Sequence, residues 1–247
     1  MKRLPYHIIL FLVLGLIVSS ACEKSGTNCF SSTGAVIRQE RFLPSFDSIE
    51  MYDNVNVILT FDSVDKLVVE AGERIIDGII TEVENGNLVI RNTNICNWTR
   101  DFSKPVNIYI SLDYLWRVYY NSAGNLTSTN TLSLDSLEID VWGGCGTIDL
   151  DLDLYTGYFA ENLGTADFLL SGKCDICYIW SGEYGPFDCG DLSTRYCFVK
   201  TQSSNDCRVR VEKILGATIT SIGNIYYTGN PDSVSYTITG QGKLIPY

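Results

Sequence analysis

The chain has 247 residues, a net charge of −11 and an isoelectric point near 4.5. Hydrophobic residues make up 45% of it and aromatic residues 12%, which is enough to bury a core and excludes a disordered chain. The excess of acidic residues disfavours a nucleic-acid partner, because like charge repels a phosphate backbone.

The N-terminus has the features of an export signal. Two basic residues precede an apolar run from Ile8 to Val18, which is too short to cross a bilayer as a helix but typical of a signal peptide. The run is followed by Ser-Ser-Ala-Cys22, which resembles a bacterial lipobox, so we expect a signal peptide over residues 1–21 and a diacyl lipid on Cys22. Ordinary signal-peptidase cleavage near the same place is the alternative. Either cut removes His7, the single histidine of the chain.

The chain after the signal is predicted to consist of a tether and one domain. Small and polar residues dominate residues 22–44 without a sustained period, which is typical of a flexible, lipid-anchored tether. The remainder, residues 45–247, is then a single folded domain.

Strand patterning runs through this domain. Apolar and polar residues alternate with a period of two, for example from Ile148 to Leu154, and this alternation is typical of β-strands. The one helix candidate, Gly72 to Ile80, has little support. The sequence therefore predicts an all-β fold.

Turn residues recur about every nineteen residues, which predicts a solenoid. Their intervals are 22, 18, 21, 20, 18 and 19 residues, and Gly86 precedes the first of them by 38, twice the period. The residue two positions after each turn residue is apolar, so these residues should stack in one core. We predict a single-domain parallel β-helix with rungs, or solenoid turns, of about 19 residues; an antiparallel sandwich is the alternative. The turn residues are Gly124, Gly146, Gly164, Gly185, Asn205, Gly223 and Gly242.

Three carboxylates are predicted to lie on one outward column. Asp149, Asp167 and Asp188 each follow a turn residue by three positions, and Arg208 comes next in the series. With Asp151 they form a candidate acidic ladder that could bind a cation, although Ca²⁺ needs about six to eight oxygen ligands. The alternative is a solvated acidic face. No other metal site and no cofactor are expected.

Motifs at both ends of the predicted domain resemble one known family. The opening motifs resemble those of the putative auto-transporter adhesin head GIN domain family, and Ser221 to Pro231 resembles its closing motif. The resemblance covers residues 45–245. It implies a β-helical fold and an envelope location, in a family found mainly among exported proteins and lipoproteins of Bacteroidetes-type bacteria, and it carries over no catalytic residues. The opening motifs are Phe46-Asp-Ser-Ile-Glu50, Asn54-Val-Asn-Val-Ile-Leu59, Val68-Val-Glu-Ala71 and Glu84-Asn-Gly-Asn-Leu-Val-Ile90.

Two of the nine cysteines occupy corresponding places in adjacent rungs. Cys177 and Cys197 each precede a turn residue by eight positions, so they form either a disulfide or a ladder of buried thiols. Cys174 and Cys177 have the spacing of a redox motif but lack its strand–helix–strand context. The other spacings do not fit a zinc site.

Tryptophans and serines supply further surface candidates. Tryptophan rings that are exposed can stack on sugars. The alternative is that these rings are buried in the β core. The triplet Asp-Ser-aliphatic occurs four times and resembles the O-glycosylation triplet of Bacteroidetes-type envelope proteins; turn formation is the alternative. The candidates are Trp116, Trp142 and Trp180 for sugar stacking, and Ser48, Ser63, Ser136 and Ser233 for O-glycosylation.

Together these features predict a non-enzymatic lipoprotein of the outer membrane, on its surface or periplasmic face. Its partners would be the membrane, through the lipid, and a glycan or an envelope or host protein. A structural envelope protein without its own ligand is one alternative. A polysaccharide-active enzyme is another, but rungs of this length leave little loop to build a cleft, and no histidine remains to act as a base.

Overall fold

The computed structural model describes residues 33–94 and 104–247, and nearly all of their regular structure is β-strand. The exception is one turn of 3-10 helix at Ile76–Gly78, inside the stretch with the helix candidate. Within the described ranges no helix is long and apolar enough to cross a membrane. The predicted signal peptide and Cys22 lie outside them.

The strands follow the period-two pattern of the sequence. In chain order they are β1 (Val36–Arg41), β2 (Ser48–Asp53), β3 (Asn56–Phe61), β4 (Lys66–Gly72), β5 (Ile79–Glu84), β6 (Asn87–Asn92), β7 (Asn107–Leu112), β8 (Arg117–Ser122), β9 (Leu126–Ser128), β10 (Leu132–Gly144), β11 (Thr147–Gly164), β12 (Asp167–Ser181), β13 (Phe187–Thr201), β14 (Cys207–Ile219), β15 (Ile225–Thr228), β16 (Ser233–Ile238) and β17 (Leu244–Pro246).

Successive rungs pair in parallel. Ile148, Phe168, Phe187, Cys207 and Ile225 are register partners in consecutive strands, at intervals of 20, 19, 20 and 18 residues. The fold is a β-solenoid of about six turns with rungs of around 20 residues. The prediction of a parallel β-helix is confirmed, and the sandwich alternative is wrong because these strands are not antiparallel.

Each rung contributes to two runs of paired strands. We call them wall A, which contains β3, β9, β15, β17 and the first parts of β11 to β14, and wall B, which contains β2, β8, β16 and the second parts of β10 to β14. In β11 the alternation of buried and exposed residues shifts phase between Leu154 and Gly157, where the strand passes from wall A to wall B. The inward residues of both walls form one hydrophobic core.

The corners between rungs explain the recurrent glycines. A Cβ at Gly146 would overlap the backbone oxygen of Gly124 in the preceding rung, and a Cβ at Gly185 would overlap that of Ala166. Gly164 is the exception to the predicted series, since it pairs with Gly144 and Ala166 occupies the corner. The register between β11 and β12 therefore differs by two residues from the prediction.

The N-terminal rungs are not stacked in chain order. Strand β2 lies between β6 and β8, and β3 lies between β7 and β9, with parallel pairing on both sides. This rung fills the doubled interval between Gly86 and Gly124. The strands that form this rung, β2 and β3, come before Gly86 in the chain, and the repeat alone did not indicate this order.

Antiparallel strands cover the N-terminal end of the solenoid. Strand β1 pairs with β4, β4 with β7, and β5 with β6. Since β1 lies within residues 22–44, the prediction of a flexible tether is wrong for Val36–Arg41. These residues pair with β4 through backbone hydrogen bonds and belong to the folded domain.

Candidate functional site

An aromatic ladder runs along the outer face of wall B. Tyr158, Tyr178 and Phe198 are register partners in β11, β12 and β13, and they point outward because their neighbours along each strand point into the core. The ring centroids lie 4.8 and 5.3 Å apart, with interplanar angles of 4° and 20°. The residues remain 45%, 38% and 39% exposed, so these rings are in contact with solvent.

The ladder ends at a glycine. Gly216 is the register partner of Phe198 in β14, so no side chain occupies the next place in the stack. A Cβ added at Gly216 would lie 2.8 Å from Cδ1 of Phe198. A groove of about 500 Å³ opens here, and its lining includes Trp180, Lys200, Thr218, Ser235 and Thr237.

A second outward column borders the groove. It contains Ala160, Trp180, Lys200 and Thr218 in successive rungs. The Lys200 ammonium lies 4.8 Å from the centroid of the Trp180 ring, a cation–π contact. Among the residues that the structure describes, no carboxylate forms an ion pair with Lys200.

The N-terminal continuation of both columns is charged. Glu138 precedes Tyr158 in one column, and Asp140 precedes Ala160 in the other. Arg117 lies 3.1 Å from Glu138 and 2.8 Å from Asp140. Burial, followed by the neighbouring Asp140, raises the pKa of Glu138 above its usual value. The outer face of wall B thus passes from a charged cluster to aromatic rings, a lysine and hydroxyl groups.

Only one of the three predicted tryptophans lines the groove. Trp180 lies in the lining. Trp116 instead donates a hydrogen bond from Nε1 to the Asp47 carboxylate at 3.1 Å. Trp142 is exposed at the end of β10. The ladder rings were not among the predicted site residues, although Tyr158, Tyr178 and Phe198 are spaced by 20 residues each. That spacing is the signal that would have identified them.

The predicted acidic ladder on wall A is wrong as a continuous stack. Asp149 pairs with Leu169, and Leu169 pairs with Asp188, so an apolar side chain separates the two carboxylates. The cause is the two-residue register difference at Gly164. The next pair in the column is as predicted, since Asp188 and Arg208 are register partners with a 3.4 Å ion pair.

The other two carboxylates of this set are also separated. Asp167 pairs with Thr147, and Asp151 pairs with Ser171. In the ranges that the structure covers, no group of three or more His, Cys, Asp or Glu side chains could hold a metal ion.

The cysteine column has the predicted register. Cys177 and Cys197 are direct partners, both fully buried, and both thiols are free. Contact with Cys174, and then with Cys197, raises the pKa of Cys177 well above its usual value. Burial raises the pKa of Cys207 to about 12. In the structure the column is a ladder of buried, free thiols.

The four candidate O-glycosylation serines differ in exposure. Ser63, Ser136 and Ser233 are exposed. Ser48 is only 2% exposed and its hydroxyl donates to the side chain of Asn87, so an enzyme cannot reach it in the folded chain. This burial argues against O-glycosylation of Ser48 in the folded chain.

A buried glutamate side chain accepts hydrogen bonds at a corner next to wall B. Both oxygens of Glu161 accept a hydrogen bond from the backbone N–H of Gly185, at 2.8 and 2.7 Å. Backbone groups of Ala166 and Glu183 contribute further hydrogen bonds. Burial is nevertheless the larger effect and raises the pKa of Glu161 to about 7.

The fold is a β-solenoid with a ladder of exposed aromatic rings on its outer face. The chain belongs to the family described as putative auto-transporter adhesin, head GIN domain, whose sequence model matches residues 45–231. The resemblance seen in the end motifs is confirmed.

Solved structures from Bacteroidetes share the fold. A putative adhesin from Bacteroides fragilis NCTC 9343 is 19% identical, with a TM-score of 0.77 over 88% of this chain and 100% of that one. A putative adhesin from Parabacteroides distasonis ATCC 8503 is 14% identical, with a TM-score of 0.68 over 87% and 99%. A putative lipid binding protein from the same strain is 20% identical, with a TM-score of 0.61 over 87% and 97%. No curated protein matches the chain.

Proposed function

We propose that this protein is an adhesin-like binding protein of the cell envelope, not an enzyme, and that its wall B groove binds a glycan. The observation that carries the proposal is the exposed ladder of Tyr158, Tyr178 and Phe198. Membership of a family described as adhesins supports a role in binding.

The ladder suits a sugar chain for two physical reasons. Sugar rings have apolar C–H faces and polar rims, so they pack well against aromatic rings whose surroundings offer hydrogen bonds. The rungs repeat at about 4.8 Å, which is close to the length that one pyranose adds to an extended β-1,4-linked chain. A glycan lying along the solenoid axis could therefore meet the exposed ring edges of successive rungs.

The binding surface can be tested with the full-length mature protein on a glycan array, followed by calorimetry with the best ligands. We expect Tyr178→Ala and Phe198→Ala each to weaken binding by about tenfold, because each removes an aromatic contact. Tyr155→Ala is the matched control, since Tyr155 is an exposed tyrosine outside the groove lining. The proposal fails if no glycan binds, or if both ladder variants bind as well as the wild type.

The export signal and lipobox support a lipid anchor at Cys22 on an outer-membrane lipoprotein. In bacteria fed labelled palmitate, we expect the wild-type protein and the Cys145→Ser control to carry the label, whereas Cys22→Ser carries none. Label retained in Cys22→Ser, or missing from the wild type, would contradict the anchor without affecting the groove.

A further inference from the structure

We propose that the gap beside Gly216 is a subsite for one anionic sugar ring, with Phe198 as the platform and Lys200 as the counter-charge. The inference rests on the proposed glycan-binding function and names the class of sugar that this end of the groove selects.

The open ring face is at the Gly216 end of the ladder. Tyr158 and Tyr178 are nearly parallel, so each covers a face of the other, and Phe198 covers the second face of Tyr178. Beyond Phe198 the register partner is Gly216, which has no side chain, and the Phe198 ring leans towards it, with Cδ1 2.8 Å from where a Cβ would lie. At the opposite end, Glu138 takes the place next to Tyr158. A ligand ring can therefore extend the stack at Phe198.

The surroundings of this gap are those of a sugar site. Thr218, Ser235 and Thr237 line the groove, and within the described part of the chain their hydroxyls have no protein partner. They can therefore donate to or accept from the rim of a bound ring. An apolar platform with free hydroxyls beside it fits a pyranose better than a purely apolar ligand.

Lys200 determines the charge of the ligand. It is the one lysine or arginine in the lining of this groove, and its ammonium contacts the Trp180 ring without a carboxylate partner in the described ranges. The carboxylates of Glu138 and Asp140 lie three rungs away in the two columns and are bridged by Arg117. In a chain of net charge −11, an unpaired cation in an aromatic groove favours an anionic group on the ligand.

The test compares acidic oligosaccharides with neutral forms of the same chain. The probes are oligogalacturonate, oligomannuronate and hyaluronan, each beside its methyl ester, with sulfated chondroitin to separate sulfate from carboxylate recognition. We expect the wild type to bind at least one acidic probe about tenfold more tightly than its ester, and to lose this preference at high salt.

Two variants of the full-length protein locate the effect. Lys200→Gln should bind acidic probe and ester equally, whereas Lys173→Gln, which removes an exposed lysine of wall A, should keep the preference. Gly216→Leu should displace the Phe198 ring and occupy the space beside it, because its Cβ would lie 2.8 Å from Cδ1 of Phe198, and should therefore weaken binding of both forms. A thermal melt matching that of the wild type would show that this variant folds.

The outcomes separate the two proposals. If esters bind as tightly as acids, or if Lys200→Gln keeps the preference, the anionic subsite is wrong while the aromatic groove stands. If Gly216→Leu folds and binds normally, the gap is not the subsite. If no saccharide binds at all, the proposed function fails and the subsite fails with it.

Discussion

The free energy of unfolding is expected to fall by about 3 kcal/mol as the pH rises from about 4.5 to about 7, because of Glu161. Its pKa is about 7 in the folded chain, against 4.5 for an ordinary glutamate. Between these two values the folded state holds a proton that the unfolded state has lost, so raising the pH favours unfolding. Below this window both states are protonated, and above it both are ionised. The stabilisation is therefore complete at acidic pH and lost at neutral pH.

Urea titrations at several pH values between 4 and 8 measure this dependence. Glu161→Gln should remove most of it, since the amide cannot ionise and its oxygen can still accept from the N–H of Gly185. Glu82→Gln is the control, because Glu82 is exposed and has no protein partner within the described part of the chain. A wild-type profile that rises over this range, or an equally steep profile for Glu161→Gln, would contradict the assignment.

The rungs of the solenoid could be predicted because their packing restricts which residues can occur at the corners and along the strands. Corners such as those at Gly146 and Gly185 approach a backbone oxygen of the rung below, so glycine recurs there. Period-two alternation then assigns the residues between corners to the core or to solvent. These two signals suffice for the fold class and the rung length.

The order of the first rungs could not be predicted in this way. Strand β2 pairs in parallel with both β6 and β8, which lie further along the chain. The alternation of apolar and polar residues in β2 indicates that one face is buried. It does not indicate which strands are the neighbours of β2, because any parallel partner of the right length satisfies the same pattern. Its insertion becomes visible only as the doubled interval before Gly124.

The candidate site was only partly predictable for a related reason. Trp180 was found as a large aromatic residue on a strand, but the ladder beside it depends on exact register. At Gly164 the corner residue is two positions later than the glycine, and this shift removed Asp167 from the expected acidic column. Glycine marks a close backbone approach without specifying which rung position makes it, so one misassigned glycine displaces every side-chain contact of that rung.

Similar ring stacking is expected to contribute very differently to stability inside the core and on the outer surface. Phe168 and Phe187 stack inside the core with centroids 4.2 Å apart, and both are buried. Truncating Phe168 leaves a cavity that the neighbouring rungs cannot close, because their hydrogen-bonded backbones hold the strand spacing. We expect Phe168→Ala to cost about 3–5 kcal/mol of unfolding free energy.

The outer stack has a similar geometry, but removing one of its rings should reduce the unfolding free energy much less. Tyr178 lies 4.8 Å from Tyr158, yet solvent already reaches the rings, so Tyr178→Ala opens no cavity and should cost about 1 kcal/mol. Urea denaturation of both variants gives the two values. Equal losses of stability would mean that the outer rings act as structural packing, which would contradict the proposed binding surface. A small loss for Tyr178→Ala together with weakened glycan binding would show that the outer ladder is used for recognition, since it contributes little to the fold.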